Sequence, residues 1–259
     1  APLLSAVLAA AGSAGVTETY SEEAWSELNE QLSPDCRDSN RNLMWSACFY
    51  SGNSLFQIVD RLESCERGDR RLLLGVVRRR LATEVERDAG LELAAMRLIV
   101  DGATQDPAAE LARFLASPHP RVRVAAAENL ALHGESGARL AERSLAGESE
   151  RPQAELDALR ALVAGRREEA SDHFARLMAR RELSERRSGL ESLRAMGRPF
   201  IERHERALFR LRGDRDQQLA VLATQTLGIA PNSSGGVLTG GVSSPPMAAK
   251  PPKPALAGR

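Results

Sequence analysis

The chain has 259 residues and balances 35 Lys and Arg against 35 Asp and Glu, so no global field steers it toward nucleic acid or an anionic membrane. Hydrophobic residues make up 42% but aromatics only 4%, so the core must be built from Leu, Ala and Val, which suits packed helices and leaves little for a β-sheet. Only Lys250 and Lys253 are lysines; the region before them has no amine for a Schiff base, a phosphate loop or a general base, and nucleotide hydrolysis and aldolase-type chemistry lose their central residue.

Residues 1–18 form an apolar leader. Ala1 to Val16 carries no charged side chain and is shorter than the ~20 residues of a spanning helix. It fits the apolar part of a secretory signal, the downstream half of a membrane helix, or an Ala-rich leader. It is the chain's one expected route to a membrane, and it tilts the expected location toward the cell envelope or periplasm over the cytoplasm.

Residues 19–101 read as a divergent helical cap. Thr19 and Glu22 are spaced as a capping box ahead of Ala24, Trp25 and Leu28, and the Ser-Pro-Asp at 33–35 stops that helix. Further helices are expected at about Asp38 to Phe49, Ser54 to Glu63 and Asp69 to Glu86. Trp25, Trp45, Phe49, Tyr50 and Phe56 concentrate here and read as cap packing, with a binding pocket as the sharper alternative. Cys36, Cys48 and Cys65 match no zinc spacing, and none of the histidines fall three or four apart, so no metal site is expected. If the helix at 38–49 lies antiparallel to the one at 54–63, the start of the first meets the end of the second. That geometry predicts a Cys36–Cys65 disulfide in an exported protein, with Cys48 left as a buried thiol.

Residues 102–228 carry the strongest signal. Gly102, Gly134, Gly165, Gly197 and Gly228 close five helix-like segments at intervals of 32, 31, 32 and 31 residues. Before these glycines, apolar residues recur at helical spacing: Val122, Ala125, Ala126 and Leu130; Leu156, Leu159, Leu162 and Val163; Leu190, Leu193 and Met196; Leu219, Leu222 and Leu227. A shorter helix precedes each of the last four, at Asp106 to Ala116, Ser136 to Leu145, Glu168 to Ala179 and Pro199 to Leu211. The breakers Ser-Pro-His-Pro (117–120), Gly147 and Arg-Gly-Asp (212–214) separate the two helices of a pair. One pair cannot bury its own apolar stripe, so several must stack.

The segments 117–130, SerProHisProArgValArgValAlaAlaAlaGluAsnLeu, and 213–228, GlyAspArgAspGlnGlnLeuAlaValLeuAlaThrGlnThrLeuGly, resemble the HEAT-repeat family, in particular its short bacterial HEAT-like repeats. The resemblance covers 102–228 and implies an all-α fold: a right-handed α-solenoid of stacked antiparallel helix pairs whose second helices line a concave face. It implies binding or scaffolding more than catalysis, although such repeats also occur in phycobilin lyase subunits, a DNA glycosylase group and deoxyhypusine hydroxylase. The last uses several His-Glu dipeptides, whereas this chain has one, His204-Glu205. Asp172 beside His173 is no dyad, because adjacent helical residues point about 100° apart.

The expectation is therefore a non-enzymatic scaffold or assembly subunit without a cofactor, whose partner is another protein. A lyase-like or modification-enzyme subunit holding a protein or chromophore is the alternative. A third reading is an arginine-lined nucleic-acid binder using the runs at 70–71, 78–80, 166–167, 180–181 and 186–187, whose nearby acids favour ion pairs instead. Residues at one offset in successive second helices line up in a stack. Five before each glycine stand Arg97, Asn129, Arg160, Ser192 and Ala223, and the polar four are the predicted outward, partner-binding column. Residues 229–259, rich in Gly, Ser and Pro, cannot bury a core and read as a disordered tail, with Pro-Pro-Lys-Pro (251–254) as a candidate docking peptide.

Overall fold

The structure is a computed structural model that describes residues 30–38, 65–83 and 88–228. The leader, the five clustered aromatics, Cys48, nearly all of the helix predicted at 38–49, the one predicted at 54–63 and the tail lie outside the described residues. Within them the fold is all-helical and contains no strand.

Two local devices fix the first helices. Asp69 stands at the third position of α1 (Arg67–Thr83) and accepts from the Glu66 backbone N–H at 2.8 Å, half of a capping box. The same carboxylate takes the Ser33 N–H and hydroxyl at 2.9 and 2.6 Å, and Cys36 and Cys65 are joined by a disulfide, so the helical turn at 34–38 is tied to the start of α1 twice. Asp88 caps α2 (Ala89–Leu98) by accepting from Leu91 N–H, and the chain leaves α2 through a π turn, Ile99–Ala103.

The predicted pairs then follow in order. Asp106 caps α3 (Pro107–Ala112), which tightens into a 3₁₀ turn (Arg113–Ala116) before the prolines reverse the chain into α4 (Pro120–Ala131). Next come α5 (Gly134–Ala146), α6 (Gln153–Val163), α7 (Arg167–Met178) and α8 (Leu183–Met196). The single helix expected at 199–211 is two, α9 (Arg198–Arg203) and α10 (Glu205–Leu211), parted at His204, whose ring turns back onto α7; α11 (Gln217–Thr226) ends the array.

All five repeat glycines have positive φ, at 89°, 56°, 74°, 97° and 68°, and no other described residue does. Gly165 shows why. Its N–H bonds Leu162 C=O at 2.9 Å while the Arg166 N–H reaches back to Ala161 C=O at 2.8 Å, a Schellman closure that needs a left-handed residue.

The packing departs from a linear stack. In a simple repeat array each pair touches only its neighbours. Here α6 packs on α4 and α7, and α8 packs on α7 and again on α4, two pairs back, so α4, α6, α7 and α8 close a four-helix ring. Gly189 makes the α7–α8 approach close enough that a Cβ there would stand 2.7 Å from the Phe174 carbonyl. One apolar cluster runs from Leu32 to Met196, passing through Leu98, Leu111, Leu130, Leu159 and Phe174 without a break at residue 102. A smaller one, with Met178, Leu190, Leu193, Leu208 and Leu219, joins α10 to α7 and α11 to α8.

Candidate partner-binding groove

The predicted column does not form one outward face. Arg97 is exposed and pairs with Asp101 at 3.0 Å; Asn129 is half-buried and donates to Ala125 C=O of its own helix at 2.8 Å; Arg160, half-buried, bonds Glu142 and Asp157. Ser192 is only 1% exposed and Ala223 fully buried, which corrects the expectation that Ser192 faces a partner. The reason is the ring: with α7 on one side and α4 on another, α8 needs a broader buried face, and Gly189, Leu190, Ser192, Leu193 and Met196 all turn inward.

Beneath the second helices lies a charged network that no sequence motif announces. Arg123 on α4 and Glu155 on α6, 5% and 3% exposed, pair at 2.5 Å. Arg123 also donates to Ser117 C=O at 2.7 Å and to Ser188 Oγ of α8 at 3.1 Å, and Ser188 Oγ donates to the other Glu155 oxygen at 3.1 Å. Arg151 joins Glu155, Glu148 and the Ser117 carbonyl, while the Ser117 hydroxyl donates to buried Glu92 of α2. Residues from α2, α4, α6 and α8 are thus wired at one level. Each has protein partners, which reads as a register device.

A second polar cluster, more exposed, is also partnered internally. His204 Nε2 lies 3.0 Å from Ser171 Oγ and 3.4 Å from Asp172 Oδ1, and Arg203 clamps Asp172 and Glu168. These are the residue types of a hydrolytic triad without its geometry, since serine and aspartate meet the same ring nitrogen. Ser171 is also fully buried and donates to Glu168 C=O at 2.7 Å. Burial lowers the His204 pKa from 6.5; Asp172 opposes that shift and Arg203 adds to it. His173, adjacent to Asp172, instead faces Glu169 at 3.8 Å.

The arginine runs mostly tie helices together. Arg70 donates to Asp101 C=O and Arg78 pairs with Glu110. Arg167 pairs with Glu128 at 2.7 Å and lies over the Phe200 ring, and Arg186 holds Asp214 at 2.9 Å.

What the ring leaves open is a groove of about 650 Å³ where the start of α2, the start of α4 and the second half of α8 converge, lined by Asp88, Ala89, His119, Arg121, Glu191, Arg194 and Ala195. It exists because α8 folds back beside α4. Asp88 is occupied as the α2 cap and Glu191 pairs with Arg187 at 3.7 Å. Arg121 and Arg194 are exposed and make no ion pair among the described residues.

Among the described residues no helix is long and apolar enough to cross a membrane. Cys36, Cys65 and Asp69 are the one group of potential metal ligands brought together there, and the disulfide engages both sulfurs. No protein-family model, curated protein or solved structure matches the chain.

Proposed function

We propose that the chain is a non-enzymatic scaffold or assembly subunit, a HEAT-like right-handed array of antiparallel helix pairs that folds back on itself and holds another protein in the groove between α2, α4 and α8. The reading rests on one contrast. The buried polar groups Arg123, Glu155 and Ser171 are held by partners within the fold, whereas the groove presents two arginines with no ion pair among the described residues to a large concavity framed by three second helices. Exposed arginines without an ion pair among the described residues occur elsewhere on the chain; what distinguishes these two is that they converge on one concavity, where a single partner segment meets both. Arg97 and Arg160, the exposed and half-exposed members of the predicted column, are candidate outlying contacts.

The test is capture from native cells with tagged full-length protein, followed by mass spectrometry. A defined partner is expected with the wild type and loss of that partner with Arg121→Glu/Arg194→Glu, at an unchanged melting temperature, because exposed substitutions cost under about 0.5 kcal/mol. Arg97→Glu/Arg160→Glu should weaken capture less. Full capture by the groove variant contradicts the reading. A coloured or mass-shifted adduct on the captured protein would point instead to a lyase-like or modification subunit.

A further inference from the structure

Resting on the scaffold reading, we propose that the occupant of the groove is a short acidic segment of the partner protein, with carboxylates clamped by Arg121 and Arg194. The charge balance of the lining favours this occupant. Both acids there already have internal partners, Asp88 through the Leu91 N–H at 3.0 Å and Glu191 through Arg187. The two arginines have none among the described residues; with Arg187 set against Glu191, only the capping carboxylate of Asp88 stands against them, so among the described residues the groove carries a positive excess although the whole chain is neutral. A guanidinium fork matches a carboxylate with two parallel hydrogen bonds, and it is the more weakly hydrated of the two basic groups, so it gives up water at lower cost. Ala89 and Ala195 leave room for a chain to enter without displacing a larger side chain.

A nucleic acid fits the same surface less well. Polynucleotide grooves align many unpaired cations along a backbone and add aromatic rings on which bases stack. Among the described residues no aromatic lines this groove, and Arg167 and Arg187 are already held by Glu128 and Glu191.

The experiment is fluorescence anisotropy of the full chain with a fluorescein-labelled peptide of repeating Asp-Glu-Gly. A Lys-substituted version and a single-stranded oligonucleotide of equal length serve as competitors. The acidic peptide should bind, weaken as salt rises, and bind about tenfold or more weakly to Arg121→Glu/Arg194→Glu. Arg121→Lys/Arg194→Lys, which keeps the charge but not the fork, should fall between. Equal binding to the charge-reversed variant, no binding to the wild type, or tighter binding of the oligonucleotide each overturns the inference. If the native partner is captured in an Arg121- and Arg194-dependent way while the acidic peptide fails, only this inference falls. Capture indifferent to those substitutions removes the groove reading itself.

Discussion

Arg123 and Glu155 pose the sharpest question at the scale of single residues. A buried pair of this kind contributes little net stability over an apolar replacement, but removing one partner leaves a charge without compensation. Burial lowers the Arg123 pKa and Glu155 opposes that shift, the expected sign for a guanidinium held in place by its carboxylate. Glu155→Gln and Arg123→Met should each lose about 3 kcal/mol or more in urea unfolding, and the double variant clearly less than the sum. Additive losses would show that the pair is not a unit. This network was not legible in the sequence because its members stand far apart: Arg123 meets Ser188 across 65 positions and Glu92 meets Ser117 across 25. Arg and Glu in helices otherwise look like a solvated face. The closing glycines were legible for the opposite reason, since a positive φ is a local demand that one residue type meets without strain, and it recurs at each.

At the scale of the elements, two glycines make opposite predictions. Gly75 lies within α1, where a Cβ would have nothing within 4 Å, whereas at Gly189 a Cβ would meet the Phe174 carbonyl at 2.7 Å and Leu177 Cβ at 2.9 Å. Gly75→Ala should stabilise by about 0.5–1 kcal/mol through helix propensity, and Gly189→Ala should destabilise by about 1–3 kcal/mol as α8 is pushed off α7. The same sign for both would mean that the α7–α8 contact is looser than described. The break between α9 and α10 carries a pH signature. His204 has its folded pKa below 6.5 because of burial, so the folded state favours the neutral ring. Its contribution is fully present above the unfolded value and is lost as pH falls through the folded one. Thermal melts should show wild-type stability declining as pH falls below about 6.5, and His204→Gln should flatten that part of the profile; an identical slope in both proteins removes His204 as the cause. Periodicity located the helices of this region but not their break, because the break depends on Ser171 and Asp172, more than thirty positions earlier.

For the whole molecule, the informative departure is the return of α8 to α4. The all-helical class and the order of the pairs were readable from apolar spacing and breakers, down to the turn at 117–120 that ends one helix and starts α4. The facing of Ser192 was not, because which side of α8 is buried depends on a helix some sixty residues earlier, and a one-residue drift in register rotates a helix by about 100°. That return gathers the starts of α2 and α4 against the second half of α8 and so makes the groove on which the proposed function stands. Hydrogen exchange read by mass spectrometry on the captured complex, against the free chain, tests it most directly. Added protection is expected in peptides covering 88–91, 119–123 and 190–195, with little change elsewhere on the body. Protection confined to peptides around Arg97 and Arg160, or to segments outside these three, would contradict a partner seated in the groove.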